Sequence, residues 1–156
     1  MKRRQFLGTA FASGAGLFFG SQAMAAGSFK VTRTEKEWRE MLTPFEYKVM
    51  REGDTEFPGS SPLDKIYDKG MYYCRGCDLA VYPSSTKYDS TTGWPSFWEA
   101  CPKAIGTQPE WSIFGVDTEV HCIRCGSHFG HIFDDGPAPT GKRHCLNGVS
   151  LVFKAA

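Results

Sequence analysis

The chain has 156 residues, of which 41% are hydrophobic and 14% aromatic, and it contains six cysteines. This length suits one ordinary domain that can bury a core, so disulfides are not needed merely for folding. Its 18 Lys and Arg residues against 17 Asp and Glu residues leave a net charge of +1. This balance argues against a general role in binding nucleic acid.

Residues 1–25 have the parts of an export signal. A cationic start at Lys2, Arg3 and Arg4 precedes an apolar stretch, Phe6 to Phe19, and Ala23-Met24-Ala25 has the form of a signal-peptidase site. As a helix the apolar stretch would span about 21 Å, which is shorter than the roughly 30 Å hydrocarbon core of a bilayer. We therefore expect no stable membrane anchor after cleavage.

The segment Arg3-Arg4-Gln5-Phe6-Leu7 resembles the twin-arginine signal of bacteria. Such signals carry proteins that have already folded and bound their cofactor, which suits a metal site filled in the cytoplasm. We expect a periplasmic protein with a signal over residues 1–25 and one functional domain over residues 26–156. An ordinary secretory signal that happens to carry two arginines is the alternative.

Two short helices are predicted at the start of the domain. Thr34 and Glu37 have the spacing of a capping box. The side chains that follow at helical spacing are Trp38, Met41, Leu42 and Phe45. For the second helix, Thr43 suits the N-cap, Pro44 suits the first helical position, and Gly53 lies just past a plausible end.

From Gly70 onward, short β-prone runs are separated by Gly, Pro and Cys residues. The runs are Met71–Tyr73, Leu79–Tyr82, Trp111–Val116, Thr118–Cys122, Phe129–Phe133 and Leu146–Phe153. The pattern predicts a mainly β fold of antiparallel sheets with short N-terminal helices.

The segment from Pro83 to Pro109 carries too many aromatic side chains for a simple linker. Gly93-Trp94-Pro95-Ser96-Phe97-Trp98 lies inside it. A loop that presents aromatic side chains near a site and a loop that packs on the core both fit this composition, and the sequence leaves both open.

Two Cys-x-x-Cys pairs form the most specific local pattern, and they comprise Cys74, Cys77, Cys122 and Cys125. Each pair lies between β-prone runs, so each can place two sulfur atoms of a tight turn on one ion. Four thiolates make a tetrahedral set that suits one structural Zn²⁺ and leaves no position open for substrate. Disulfides are the alternative, because an exported protein with an even number of cysteines invites that interpretation.

Cys145 lies in a segment, Arg143 to Leu151, whose alternation is typical of a strand. On a strand, residues two apart share a face, so Arg143, Cys145 and Asn147 are expected to point the same way while His144 points the other. A nearby guanidinium favours the thiolate, which is the reactive form of cysteine. A buried cysteine that packs as a small hydrophobic residue is the alternative.

His128 and His131 would lie on opposite faces of a regular strand, because they are three residues apart. Gly130 between them can supply a bulge that turns both rings toward one pocket. Beside a strand thiol, the two rings are candidate proton donors. Structural histidines or additional metal ligands are the alternative.

Several of these motifs together resemble the peptide methionine-(R)-S-oxide reductase family, the B type. The motifs that carry the resemblance are Gly93-Trp94-Pro95-Ser96-Phe97, both Cys-x-x-Cys pairs, His128-x-x-His131 running into Phe133-Asp134-Asp135-Gly136-Pro137, and Arg143-His144-Cys145-x-Asn147. The similarity spans roughly Phe29 to Phe153, in the family's order.

The resemblance implies that Cys145 attacks the sulfoxide sulfur of methionine-R-sulfoxide and ends as a sulfenic acid. It also implies that His128 or His131 protonates the departing oxygen, that Trp94 packs against the substrate methyl group, and that Asn147 and Arg143 hold and polarise the site. The implied partners are oxidised proteins or peptides and a thioredoxin-like thiol reductant.

One position departs from the pattern of many family members. They have a recycling cysteine just before Gly-Trp-Pro-Ser-Phe, whereas this chain has Thr92. Cys101 is the remaining cysteine outside the predicted zinc set, and it is a candidate resolving cysteine if its loop reaches Cys145. Direct reduction of the sulfenic acid by an external thiol is equally compatible with the sequence.

A different class of protein also fits part of the sequence. A periplasmic zinc-ribbon binding protein without catalysis would account for the four paired cysteines. It would leave the shared face of Arg143, Cys145 and Asn147, and the two histidines, as coincidence.

Overall fold

The computed structural model describes residues 29–113 and 115–156, so the predicted signal lies outside the described residues. The helices and strands, in chain order, are α1 (Glu35–Met41), α2 (Pro44–Glu52), β1 (Gly70–Cys74), β2 (Ala80–Pro83), β3 (Lys87–Tyr88), β4 (Ser96–Phe97), β5 (Ile105–Ser112), β6 (Gly115–Cys122), β7 (His128–Phe133), β8 (Arg143–Leu146) and β9 (Leu151–Ala155). Short 3-10 turns lie at Pro62–Lys65, Ser84–Thr86 and Gly148–Ser150. Within the described residues, no helix is both long and apolar enough to cross a membrane.

Both predicted helices are confirmed, together with the residues that begin them, but α1 ends at Met41, so Phe45 belongs to α2, and both side chains are exposed. Thr34 and Thr43 are the N-caps of α1 and α2, and each forms a reciprocal capping box with a glutamate three residues later. Pro44 opens α2, and Gly53 ends it in the left-handed conformation at φ 75°. The helices turn Trp38, Tyr47, Val49 and Met50 inward.

The strands form two antiparallel sheets, which confirms the predicted mainly β fold. The smaller sheet has the order β2-β1-β9, and the larger has the order β3-β4-β8-β7-β6-β5. Every strand pair in both sheets is antiparallel. A buried aromatic contact joins them, because Phe97 of the larger sheet lies 4.9 Å from Tyr72 and 4.7 Å from Tyr82 of the smaller one, measured between ring centroids.

The predicted single strand Trp111–Val116 is wrong. The chain reverses within this run, so β5 ends at Ser112 and β6 begins at Gly115, and these two residues are partners in the ladder. Gly115 has a φ of 134°, which residues with a side chain rarely adopt. The run of β-prone side chains on either side hid this glycine turn in the sequence.

The predicted strand Leu146–Phe153 is also wrong, because it is two strands in different sheets. β8 ends at Leu146 in the larger sheet, and β9 begins at Leu151 in the smaller one. Between them, the carboxylate of Glu56 accepts hydrogen bonds from the backbone N–H groups of Gly148 and Val149 at 2.6 and 3.1 Å. These N–H groups therefore donate to the Glu56 side chain rather than to a neighbouring strand.

The aromatic segment around Gly93 combines the two alternatives considered for it. Pro95 and Phe97 are fully buried in the core, whereas Trp94 is partly exposed and lines a cavity. The same segment thus anchors itself in the core and presents one indole ring at a candidate site.

Candidate active site and metal centre

Four cysteine sulfur atoms converge where the two sheets meet. Cys74 ends β1 and Cys122 ends β6, and the tight turns that follow bring in Cys77 and Cys125. All four sulfur atoms lie within 4.8 Å of one another. The pairs Cys74–Cys125 and Cys77–Cys122 have Sγ–Sγ distances of 3.6 and 3.5 Å.

These distances fit a tetrahedral metal site and do not fit disulfides. A disulfide has an S–S bond of about 2.05 Å. Two thiolates on one Zn²⁺, each with a Zn–S bond of about 2.3 Å, lie about 3.8 Å apart. The cysteines of the described residues are all free, so the four-cysteine cluster that the sequence predicted is present and can hold a metal ion.

Polar groups next to the cluster favour negatively charged sulfur. The Ser127 hydroxyl lies 3.2 Å from Cys125 Sγ, and the Arg51 guanidinium donates to the Cys125 carbonyl at 3.1 Å. Arg51 is held between the cluster and the Trp38 ring, whose centroid is 4.6 Å from the guanidinium carbon. A nearby cation offsets part of the negative charge of four thiolates around a divalent metal.

A second site is a partly enclosed cavity of about 330 Å³ with the Cys145 thiol in its wall. Its lining residues are Thr55, Thr92, Trp94, Gly130, His131, Phe133, Arg143, Cys145, Leu146 and Asn147. The cavity therefore gathers a thiol, an imidazole, a guanidinium, an amide and an indole that are distant in the sequence. A cavity with an apolar wall and a few convergent polar groups is typical of a small-molecule or side-chain binding site.

Strand β8 places Cys145 between two neighbours, since it pairs with Ser96 of β4 on one side and His131 of β7 on the other. Arg143 and Cys145 share the cavity face, as the alternation predicted. His144 points to the opposite face, where it is buried and contacts the Tyr82 hydroxyl at 2.9 Å from Nδ1. Burial lowers the pKa of His144 to about 4, so this ring is neutral near pH 7.

Asn147 reaches the cavity by a different route from the one predicted. The strand ends at Leu146, so Asn147 lies beyond it and precedes the 3-10 turn. Its side chain is held by two hydrogen bonds, from the Glu56 N–H to Oδ1 at 2.9 Å and from Nδ2 to the Phe129 carbonyl at 3.1 Å. The position is therefore fixed by the loop containing Glu56 rather than by strand alternation.

Two opposed effects act on the Cys145 thiol. Burial raises its pKa, while the Arg143 charge and hydrogen bonds with Thr92, Arg143 and Ser96 act in the opposite direction without cancelling the effect. The guanidinium thus acts as the sequence predicted, but burial outweighs it. The pKa of an ordinary cysteine thiol already lies above neutral pH, and the pKa of Cys145 is higher still. The resting thiol is therefore largely protonated near pH 7.

Arg143 is fixed by a residue that the sequence did not single out. Its Nε and Nη2 donate to the two carboxylate oxygens of Asp135, each at 2.8 Å, and its guanidinium carbon lies 4.4 Å from the Phe133 ring centroid. A paired two-point contact of this kind fixes the plane of the guanidinium. Asp135 was visible in the sequence only as part of a longer motif.

A bulge in β7 brings the two histidines to one side of the sheet. His128 pairs with His121 of β6 but Gly130 pairs with Val120, so β7 has one extra residue between these pairs. Gly130 adopts a φ of 150°, and the ring centroids of His128 and His131 are 5.5 Å apart. The geometry thus contains the bulge that the sequence predicted at Gly130.

The two rings have different surroundings. His131 lines the cavity, and its Nε2 contacts the Glu110 carboxylate of β5 at 2.5 Å. His128 is 3% exposed, and its Nδ1 contacts the Glu119 carboxylate of β6 at 2.8 Å. Neither glutamate was singled out in the sequence, because an acidic residue on a strand is usually a solvated surface group.

Comparison with known proteins shows that residues 42–155 match the SelR domain family. The chain is 47% identical over 125 residues to the peptide methionine sulfoxide reductase MsrB of Methanosarcina barkeri, covering 80% of this chain and 88% of the relative. The chain belongs to the MsrB family. The MsrB of Agrobacterium fabrum is 44% identical, with 80% and 93% of the two chains covered. The chloroplastic peptide methionine sulfoxide reductase B2 of Arabidopsis thaliana is 40% identical, with 87% and 69% covered.

Membership of the MsrB family confirms the family resemblance drawn from the motifs and agrees with the predicted enzyme class, a peptide-methionine (R)-S-oxide reductase. It does not favour the non-catalytic zinc-ribbon protein that was the alternative.

Within this MsrB-family fold, Cys101 lies away from the lining of the Cys145 cavity. Its backbone N–H donates to the Val81 carbonyl at 2.8 Å, and its Sγ lies 3.8 Å from the sulfur of Met71 in β1. Thr92 instead lies beside Cys145, where its hydroxyl shares hydrogen bonds with Ser90, which in turn contacts Ser96. In the structure, hydroxyl groups and no second thiol line the described wall next to Cys145.

Glu56 is a site residue of this MsrB-family protein that the sequence analysis missed. Its carbonyl accepts from Trp94 Nε1 at 3.0 Å, its N–H donates to Asn147, and its buried carboxylate caps the turn after Asn147. A single residue thus ties the indole on one wall of the cavity to the amide on another. A lone glutamate in a loop has no periodic pattern that would have revealed this.

Proposed function

We propose that this protein reduces methionine-R-sulfoxide, mainly in oxidised proteins or peptides, to methionine, with Cys145 as the nucleophile. The observation that carries the proposal is the convergence of Cys145, His131, Arg143, Asn147 and Trp94 on one cavity in a chain of the MsrB family. The cavity is large enough for one side chain, which suits a reaction at a single methionine.

The chemistry balances as an oxygen transfer between two sulfur atoms. The Cys145 sulfur attacks the sulfoxide sulfur as a thiolate, and the sulfoxide oxygen accepts a proton from an imidazole. The hydroxyl then passes to the cysteine sulfur as the S–O bond to methionine breaks, so the thioether leaves and Cys145 becomes a sulfenic acid. The cysteine sulfur loses two electrons, the substrate sulfur gains two, and the thiol proton replaces the one that the imidazole donated.

The residues around Cys145 have distinct proposed roles. His131 and His128 are the proton donors, because His131 lines the cavity and the His128 ring lies 5.5 Å from it between ring centroids. Trp94 packs against the substrate methyl group, and Arg143 and Asn147 hold and polarise the site. Because the sulfoxide sulfur is chiral, fixed positions for the methyl group and the oxygen admit the R epimer only.

Recycling needs two thiols from a dithiol reductant of the thioredoxin type. These return the sulfenic acid to the thiol and yield one disulfide and one water. The reductant reacts with Cys145 directly, or Cys101 first forms a disulfide with Cys145. The contact of Cys101 with Met71, away from the cavity lining, supports the direct route. If Cys101→Ser abolishes thioredoxin-dependent turnover while single turnover persists, the route through Cys101 operates instead.

The four-cysteine cluster is proposed to hold one Zn²⁺ with a structural role. Four thiolates fill a tetrahedral shell, so the ion has no open position for substrate or water. The ion would join the end of β1 to the end of β6, and with them the two sheets.

The protein is further proposed to be exported to the periplasm by the twin-arginine route, on the sequence of residues 1–25. A folded, metal-loaded domain suits that route. The double substitution Arg3→Lys, Arg4→Lys is expected to keep the precursor in the cytoplasm, as measured by cell fractionation. Normal export of that variant would argue for an ordinary secretory signal.

The proposed activity is tested with separated R and S epimers of a blocked methionine sulfoxide, with dithiothreitol as reductant. The wild-type protein is expected to reduce R only, and Cys145→Ser is expected to abolish turnover without loss of the fold. Reduction of the S epimer, or unchanged activity of Cys145→Ser, would overturn the assignment of the reaction or of the nucleophile.

A further inference from the structure

A single buried carboxylate lies between two histidines behind the cavity. Glu119, in β6, is 3% exposed. Its Oε1 contacts His128 Nδ1 and its Oε2 contacts His121 Nδ1, each at 2.8 Å. It also pairs directly with the cavity residue His131 in the β6–β7 ladder. Glu119 is therefore the centre of the histidine cluster, although it lies outside the cavity lining.

The carboxylate determines where the proton of each ring lies. Burial favours the neutral acid, but the hydrogen bonds from His121 and His128 outweigh it and lower the pKa of Glu119 to about 2. The group is thus a carboxylate at neutral pH and only accepts hydrogen bonds, so both Nδ1 atoms carry hydrogen. Nε2 of His128 is left as the ring nitrogen without hydrogen in the neutral ring.

That Nε2 atom is an exception in the core. It is buried and has no hydrogen-bond partner among the described residues. Buried polar atoms are almost always paired, and those left unpaired in a native fold call for a missing partner or a functional role. The His128 ring lies 5.5 Å from the His131 ring, which lines the cavity. Once Nε2 carries a proton, a sulfoxide oxygen, which only accepts hydrogen bonds, is a partner of the right chemistry.

We propose that Glu119 is a positioning residue for sulfoxide reduction, which holds His128 with Nε2 available to the sulfoxide oxygen and balances the charge of the ring when it is protonated. This inference rests on the proposed function. It concerns how the proton is delivered, whereas the proposed function concerns which bond is broken. His121 contacts the other oxygen of the carboxylate and packs edge-on against Phe29 rather than against His131, so we assign it no role in the step.

The test compares three substitutions that alter this contact differently. In Glu119→Gln, the side chain has one acceptor oxygen and one donor nitrogen, so it cannot accept from both rings. In Glu119→Asp, the carboxylate stays and is one methylene shorter. His121→Gln is the matched control, because it removes the other ring and leaves the contact between Glu119 and His128.

The first measurement is single turnover of the R epimer by the reduced protein. Glu119→Gln is expected to slow the chemical step by about 10² to 10⁴, in the range found when a histidine loses its orienting carboxylate or a general acid is lost. KM should change by less than about threefold, and His121→Gln should stay within about threefold of wild type. Glu119→Asp is expected to recover at least about tenfold relative to Glu119→Gln.

The second measurement is the tautomer of His128 by ¹⁵N NMR in the resting protein, which does not depend on turnover. In the wild type we expect the hydrogen on Nδ1. In Glu119→Gln we expect it to shift partly or completely to Nε2. A wild-type His128 with bare Nδ1 would overturn the inference even if Glu119→Gln does not fold. So would a folded Glu119→Gln that reduces the R epimer at the wild-type rate. Failure of the wild type to reduce the R epimer would instead reject the proposed function.

Discussion

The pKa of the Cys145 thiol depends on two opposed effects, burial and a nearby fixed cation. Its pKa is raised by burial, and Arg143 limits that rise. Asp135 holds the guanidinium with two hydrogen bonds of 2.8 Å, so the position of the charge is fixed before substrate arrives. The resting thiol is therefore mostly protonated near neutral pH, and the proposed reaction has to ionise it after substrate binds.

The effect of Arg143 can be measured directly. Arg143→Ala removes the main influence that lowers the pKa of Cys145, so this pKa is expected to rise further. The rate of Cys145 alkylation by iodoacetamide then reaches its half-maximum at a higher pH and is slower at pH 7. Labelling is assigned to Cys145 by peptide mass spectrometry, because Cys101 is also free.

Lys142→Ala is the control for that experiment, since Lys142 is a neighbouring cation whose amino group is paired with Asp134. Its alkylation profile is expected to match the wild type. Equal profiles for Arg143→Ala and the wild type would show that burial alone sets the reactivity of the thiol.

At the residue level, the sequence predicted groups with distinctive chemistry and missed those that support them. Four residues were predicted because a thiol, an imidazole, a guanidinium and an indole have distinctive chemistry. The structure places all four on one cavity, namely Cys145, His131, Arg143 and Trp94. Glu56, Glu119 and Asp135 were not predicted. Glu56 is buried with partners up to 93 residues away, which leaves no local pattern. Glu119 and Asp135 have nearer partners, nine and eight residues away, but these contacts depend on the β6–β7 pairing and on the loop before β8.

Among the elements, β7 depends most on a single glycine. A Cβ atom on Gly130 would lie 2.1 Å from the Cys145 carbonyl oxygen, which is backbone and cannot move aside easily. The φ of 150° at this position is also unfavourable for any residue with a side chain. The bulge that aligns His128 with His131 therefore needs glycine for both conformation and space.

Gly130→Ala is consequently expected to destabilise the protein by about 2 kcal/mol or more, through strain and displacement of β8. Urea unfolding measures the loss. Gly115→Ala is the matched control, because Gly115 also has a positive φ, 134°, but a Cβ there has no atom of the described residues within 4 Å. Equal losses for the two variants would mean that conformation, and not the contact with Cys145, determines the cost.

The element boundaries show where sequence patterns stop being informative. Capping residues fixed the starts of α1 and α2 because the capping box is a local interaction of four residues. The divisions inside Trp111–Val116 and Leu146–Phe153 were missed, because in each case a β-prone run continued across a break. The second break depends on Glu56, which is remote in the chain, so local alternation could not reveal it.

At the scale of the molecule, the four-cysteine cluster lies where the two sheets meet, and none of its cysteines lines the cavity. Without a bound ion, the cluster would keep four thiols or thiolates within 4.8 Å of one another, which is unfavourable through repulsion. Elemental analysis is expected to find about one zinc per chain. Cys74→Ser is expected to lose the metal and to lower the unfolding temperature by roughly 10 °C or more.

Cys101→Ser is the control for metal loss, since Cys101 lies against Met71 and is not a member of the cluster. It is expected to keep full metal content and a near wild-type unfolding temperature. A metal-free protein with unchanged thermal stability would show that packing of the sheets, rather than an ion, holds the cysteines together.

The pairing of β1 with β9 has a consequence for how the protein is made. Cys74 is the partner of Leu151, 77 positions later in the chain. At a synthesis rate of about 5 to 20 residues per second, β1 waits roughly 4 to 15 s for its neighbour. Throughout that interval Cys74 and Cys77 lie in an unfinished sheet, exposed to whatever oxidants surround the ribosome. We therefore expect synthesis in an oxidising environment to lower the yield of correctly folded protein.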